Sequence, residues 1–166
     1  MPQHAKIGFV YKFEVLDNGI VVAETEFAHN LMPTVALNHA LDVLLKAGTQ
    51  YPNWYCGLFE GNYTPIAGAT MATLITDATE CTAYSETTRP IFTSGTISGG
   101  AVDNSASKAE FTFTADKTIY GGFISSNNVK GANTGMLLSA VRPASSVAVH
   151  TGNVLRVTAG LTLTSA

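Results

Sequence analysis

Residues 7–15 alternate with a period of two. Ile7, Phe9, Tyr11, Phe13 and Val15 fall on one parity, with Gly8, Lys12 and Glu14 on the other. That is the pattern of a strand with one buried face. Asp17-Asn18-Gly19 follows, and Asn-Gly supplies the positive φ values of a tight hairpin turn. A returning strand is expected over Ile20 to Phe27, with Glu24 and Glu26 on one face.

The period then changes to that of a helix over about residues 31–47. Leu37, Ala40, Leu41, Leu44 and Leu45 make one apolar stripe, and Asn38, His39, Asp42 and Lys46 lie opposite. Asn30 is the expected N-cap, Pro33 fits the first turn, and Gly48 is the expected stop. Asp42 and Lys46 stand in the favourable acid-before-base order four residues apart. The stripe predicts that this helix packs on a sheet or plugs the end of a barrel-like sandwich.

Trp54 to Phe59 reads as a strand. Residues 60–88 are irregular, with a helical turn at Met71 to Ile75, and read as a long loop. Beyond Arg89-Pro90, strands are expected at 89–94, 96–102, 108–115, 118–125, 135–141, 146–150 and 153–164, divided by Gly-, Asn- and Ser-rich turns. Many short strands at this spacing indicate an all-β sandwich or barrel. No boundary or repeat divides residues 1–166, so one β domain is expected, with residues 1–6 as an N-terminal arm.

Composition narrows the class further. The chain has 166 residues, enough for a core without staples. Asp, Glu, Lys and Arg make up 13%, against ~25% in an ordinary soluble domain. Mean hydropathy is +0.19, which argues against disorder. Net charge is −3, so no broad basic footprint for nucleic acid is expected. No secretory leader pattern and no membrane-length apolar run is visible, which predicts synthesis in a cytoplasm and no membrane partner. Charge is thinnest over residues 118–166, so subunit contacts are expected to draw on that half.

Candidate chemistry is sparse. Cys56 and Cys81 are too few for a disulfide framework and read as free buried thiols. His4, His29, His39 and His150 lack ligand spacing, and no cofactor motif or nucleophile elbow is present. Gly95-Thr96-Ile97-Ser98-Gly99-Gly100 lacks the Lys-Ser/Thr of a phosphate loop and reads as a turn. Glu24 and Glu26, with Glu14 opposite, are either a solvated strand face or a carboxylate pair for glycoside chemistry; the solvated face is the expected reading. Tyr51, Trp54 and Tyr55 are the candidate interface residues, with Trp54 and Tyr55 expected on opposite faces of a strand.

Several separated blocks carry a family resemblance. They are Asn30-Leu31-Met32-Pro33-Thr34, Leu37-Asn38-His39-Ala40-Leu41-Asp42, Trp54-Tyr55-Cys56-Gly57-Leu58, Ala69-Thr70-Met71-Ala72, Glu80-Cys81-Thr82-Ala83-Tyr84, Thr88-Arg89-Pro90, Asn104-Ser105-Ala106 and Phe111-Thr112-Phe113. In this order, over about residues 7–163, the chain resembles small virion proteins of tailed bacteriophages, associated with the head as decoration or cement proteins. The resemblance implies a jelly-roll-like β fold and a non-enzymatic role on the capsid surface. It also implies the major capsid protein and other copies of the chain, as homodimer or homotrimer, as partners. No catalytic residue comes with it. A tail or fibre protein that recognises a host receptor is the alternative, motivated by the aromatic cluster and the long 60–88 segment.

Overall fold

The computed structural model describes residues 6–164. Strand β1 (Lys6–Asp17) keeps the predicted alternation, with Phe9, Tyr11, Phe13 and Val15 buried. Asn18 and Gly19 take φ 48° and 81° and close the hairpin onto β2 (Ile20–Glu24). The returning strand ends earlier than its sequence suggests. Thr25 is buried; its hydroxyl accepts the Phe13 N–H at 3.1 Å and its N–H donates to Phe13 O at 2.9 Å. After this break β3 (Ala28–His29) rejoins β1.

The other edge of β1 pairs antiparallel with β12 (Val154–Thr164), from Lys6 opposite Thr164 to Leu16 opposite Val154. β6 (Ala101–Asp103) and β7 (Ala109–Thr112) line the far side of β12. These strands form the first sheet. The second has the order β10 (Leu137–Val141), β9 (Gly121–Ser125), β4 (Tyr55–Phe59), β5 (Glu80–Cys81). β8 (Lys117–Ile119) and β11 (Val147–Val149) make a separate pair. Every one of these pairings is antiparallel, and the architecture is a β-sandwich.

The main core lies between the two sheets. Phe9, Tyr11, Phe13, Leu155 and Val157 from the first meet Cys56, Leu58, Ile124 and Val141 from the second. The Tyr11 and Ser139 hydroxyls hydrogen-bond across the gap. The second sheet is covered on its outer face as well, so β9 is buried at all five positions. Alternate residues Phe59, Phe123, Leu137 and Ala140 form a second core under helix α2 (Met71–Ala78). Glycine makes this double coverage possible. A Cβ at Gly57 would overlap the Phe123 ring, and one at Gly121 would strike Val141 O and the Phe59 ring.

α2 extends the expected helical turn at Met71 to Ile75 to a helix of eight residues, and so corrects the reading of residues 60–88 as mainly a loop. Thr70 starts it with a reciprocal capping box: Thr73 N–H donates to Thr70 Oγ1 at 3.3 Å and Thr70 N–H to Thr73 Oγ1 at 2.9 Å. Its buried residues Met71, Leu74 and Ala78 follow i, i+3, i+7 spacing. It spans only eight residues, too few for its period to stand out among the threonines.

The expected strand at 89–94 does not form, and that at 96–102 survives only at its end, where β6 begins at Ala101. Only isolated bridges occur before it, at Ile91 and Ser98. Much of residues 118–166 is buried in β9, β10 and β12, and its exposed positions are mainly neutral. Exposed large apolar side chains gather before residue 100, with Val129 and Leu163 the exceptions. Residues 1–5 of the expected arm lie outside the described residues, and Lys6 already belongs to β1.

Candidate interaction surface

The predicted helix forms, but shorter and turned. α1 spans Thr34–Leu45. Pro33, not Asn30, occupies the N-cap position and has no side chain to cap with. Its fixed φ of −68° still suits the entry, and Thr34 N–H finds Ala67 O at 2.9 Å. Asn30 serves elsewhere: its Oδ1 accepts the Phe9 N–H at 2.7 Å. At the other end Ala47 takes the left-handed turn, with φ 55°, while Gly48 N–H donates to Asp42 O at 3.0 Å. A Cβ at Gly48 would collide with the Asp42 carboxylate. Asp42 thus lies over the helix end, and no Asp42–Lys46 ion pair forms among the described residues.

The face that α1 turns inward is its small one. Ala36 is fully buried, and Ala40 and Val43 are half-buried beside it. The leucine stripe points away. Leu41, Leu44 and Leu45 are 55%, 77% and 72% exposed, and Leu37 is 36% exposed. The expectation that this stripe packs on or plugs the sandwich is therefore corrected. The physical reason is close approach: Ala36 and Ala40 let the helix backbone lie near β10, where leucines would hold it off.

An aromatic group sits beside the helix. The His39 and Tyr51 rings are 5.0 Å apart, and Tyr51 meets Trp54 edge-on at 5.4 Å. Tyr51 is exposed, while Trp54 is half-buried against the main core. The structure thus unites Tyr51 and Trp54 and adds His39, which the spacing alone did not indicate. Tyr55 stands apart, half-buried on β4 with Ser125 and Ile91 as strand partners. Trp54 precedes the strand, so strand alternation does not govern it. A groove of about 720 Å³ runs along α1 between Leu41, Asp42 and Leu45 and the side chain of Met136.

The carboxylates on the first sheet are balanced by cations. In register across four strands lie Glu24, Glu14, Arg156 and Glu110. Lys12 holds Glu24 at 2.8 Å, Lys108 holds Glu14 at 2.5 Å and Arg156 holds Glu110 at 2.7 Å. The hydrogen bond to Glu24 pushes the Lys12 ammonium pKa up. Glu24 and Glu26 are solvent-exposed, so this face is an ionic lattice that keeps a sheet surface wet, as expected.

Near β8 and β11, His150 Nδ1 lies 3.0 Å from Asp116 Oδ2. That contact, with the Thr151 N–H, holds the Asp116 carboxyl below its usual range. The Thr151 hydroxyl meets Asp116 rather than the imidazole, so it is not placed as a nucleophile activated by His150.

A buried ion pair that alternation and spacing do not mark lies at the edge of the second sheet. Arg89 and Glu80 are 1% and 9% exposed. Arg89 Nε and Nη2 donate to the two Glu80 oxygens at 2.7 and 2.6 Å. Nη1 and Nη2 also donate to Asn127 O at 2.8 Å and Ala132 O at 2.9 Å, and Gly131 N–H donates to Glu80 at 2.7 Å. Lys130 adds a clasp from the same loop, donating to Tyr84 O at 2.6 Å and lying over the Tyr84 ring. The pair fixes residues 126–136 to the edge of the second sheet. Its only sequence signal was an Arg beside Pro90 in a charge-poor chain.

Cys56 and Cys81 are free and buried. Among the described residues no group of three His, Cys, Asp or Glu side chains is placed to hold a metal ion. No described helix is long and apolar enough to cross a membrane. No family model matches the chain, and no curated protein matches it.

Proposed function

We propose that this chain is a non-enzymatic structural protein of a tailed-phage virion, a decoration protein that binds the outside of the shell built by the major capsid protein. One observation carries the proposal beyond the family resemblance: a rigid sandwich presents a helix whose leucine face has no partner within the chain. Burying a leucine fully yields ~1.5–3 kcal/mol. Covering the exposed parts of Leu37, Leu41, Leu44 and Leu45 gains at most about 6–12 kcal/mol, comparable with the ~4–15 kcal/mol that association costs, so little net affinity is left. A single copy would hold weakly. A homodimer or homotrimer engaging a repeating shell at several points holds far better, because each later contact is intramolecular. The jelly-roll-like course implied by the resemblance belongs to the same proposal. Its support is the antiparallel sandwich with the long first and last strands side by side.

A second reading, a tail or fibre protein that binds a host receptor, draws on the His39–Tyr51–Trp54 group. Only Tyr51 of the three is well exposed, which makes it the weaker reading.

The test is binding of purified protein to shells lacking it and to host cells, for the native chain and for Leu41→Lys/Leu44→Lys. Saturable binding to shells, lost in the double variant, is the expected result. Binding to host cells alone, lost on Tyr51→Ala, favours the second reading and overturns the first.

A further inference from the structure

The chain passes from the first sheet to the second through residues 28–31, where β3 ends and Leu31 bridges Ala140 of β10. Beside this crossing opens a pocket of about 200 Å³. Its polar wall consists of His29, Asn30, Thr64 and Arg142. Among the described residues that wall holds a guanidinium and an imidazole and no carboxylate, in a chain whose net charge is −3.

His29, Thr64 and Arg142 are exposed at its rim, and the buried donor of the wall is Asn30 Nδ2. Arg142 forms no ion pair among the described residues; its one side-chain hydrogen bond is from Nη1 to Thr64 Oγ1 at 3.3 Å. Asn30 is held by the Phe9 N–H, which donates to Oδ1 at 2.7 Å and so fixes which way the amide faces. Its Nδ2 is shielded from solvent and has no acceptor. A buried donor left in this state is costly and calls for an explanation. Elsewhere the chain satisfies its buried cation fully, as at Arg89.

We propose that this pocket binds an oxyanion, the carboxylate or phosphate end of a small ligand or side chain. Arg142 supplies the charge and a forked pair of donors. Thr64 and His29 add donors at the wall. Asn30 lines the same wall, with its Oδ1 held by the Phe9 N–H. The volume is below that of ordinary small-molecule sites, so it suits a group the size of acetate or phosphate. The inference is independent of the virion reading and of the leucine face.

The full chain, labelled for amide NMR, is titrated at constant ionic strength with inorganic phosphate, with acetate, and with a blocked glutamate. Saturable shifts confined to residues 29–31, 64 and 142 are expected, weakened about tenfold or more by Arg142→Gln. Asn30→Asp keeps the acceptor for Phe9 N–H and places a like charge at the wall, so it also loses binding. Arg156→Gln, a cation paired on the first sheet, changes nothing. Tighter binding of phosphate than of glutamate assigns a free anion, and the reverse assigns an acidic side chain. Linear, unsaturable shifts, or equal titrations for native and Arg142→Gln protein, overturn the proposal.

Discussion

Arg89 puts a guanidinium where water does not reach, and its donors to Glu80, Asn127, Ala132 and Ser125 account for all five of its N–H groups. Removing one partner strands the other as an uncompensated buried charge. Arg89→Ala should therefore cost ~3–5 kcal/mol, read as a lower urea midpoint. Arg89→Met with Glu80→Leu should cost clearly less than the single change, because no charge is left unpaired. If the double variant were the less stable of the two, the pair would be a net source of stability after all. The buried thiols give a pH dependence. Burial pushes Cys56 up to about 12 and Cys81 up to about 11, from an ordinary 9.0. The native state holds these protons more tightly than the unfolded chain. Stability is thus intact below about pH 9, falls above it as the unfolded thiols ionise, and stops falling on this account past about 12. Denaturation midpoints between pH 8 and 11 check the sign, and Cys56→Ser should flatten the slope. Alkylation of both thiols at neutral pH should proceed no faster than global unfolding.

At the scale of the element, α1 separates two properties that amphipathicity usually joins. Its period was legible from Leu37, Leu41, Leu44 and Leu45, but its orientation was not. A stripe announces that a face wants cover, and says nothing of whether the cover comes from the same chain. The underside, Ala36 with Ala40 and Val43, is chosen by how near β10 the helix must lie, a distance no local pattern encodes. α2 was legible only as a helical turn at Met71 to Ile75, for the complementary reason, since eight residues with three buried positions give little period to count. The hairpin at Asn18-Gly19 and the long strands β1 and β12 were legible because turn chemistry and alternation are local. The Arg89–Glu80 pair and the pocket at Arg142 were not, because they join segments that meet only in the finished sandwich. Opposite outcomes are expected on the two faces of α1. Leu41→Lys/Leu44→Lys should leave the melting midpoint nearly unchanged, within about 0.5 kcal/mol per site, while abolishing association. Ala36→Leu should lose ~1–3 kcal/mol by overpacking. Thermal melts of the two variants side by side test the assigned orientation.

The whole molecule is organised by non-local pairing. The central contact of the first sheet joins β1 to β12, residues 6–17 to residues 154–164. Sandwiches of this kind fold in ~milliseconds to seconds, because distant segments must meet before their contacts repay the closure entropy. Refolding followed by Trp54 fluorescence should fall in that range. Removing residues 154–164 should abolish the cooperative melt rather than lower its midpoint, since both β1 and β7 lose their ladder. The same pairing shapes the birth of the protein. On a ribosome, β1 emerges early with Phe9, Tyr11 and Phe13 facing outward, and its partner arrives only when Val154 and the residues after it have been made. At ~5–20 residues per second that interval is on the order of ten seconds. For that time a strongly apolar strand, paired on one edge by β2 and β3, keeps its other edge open beside other nascent chains, and productive yield in the cell is set by what shields it.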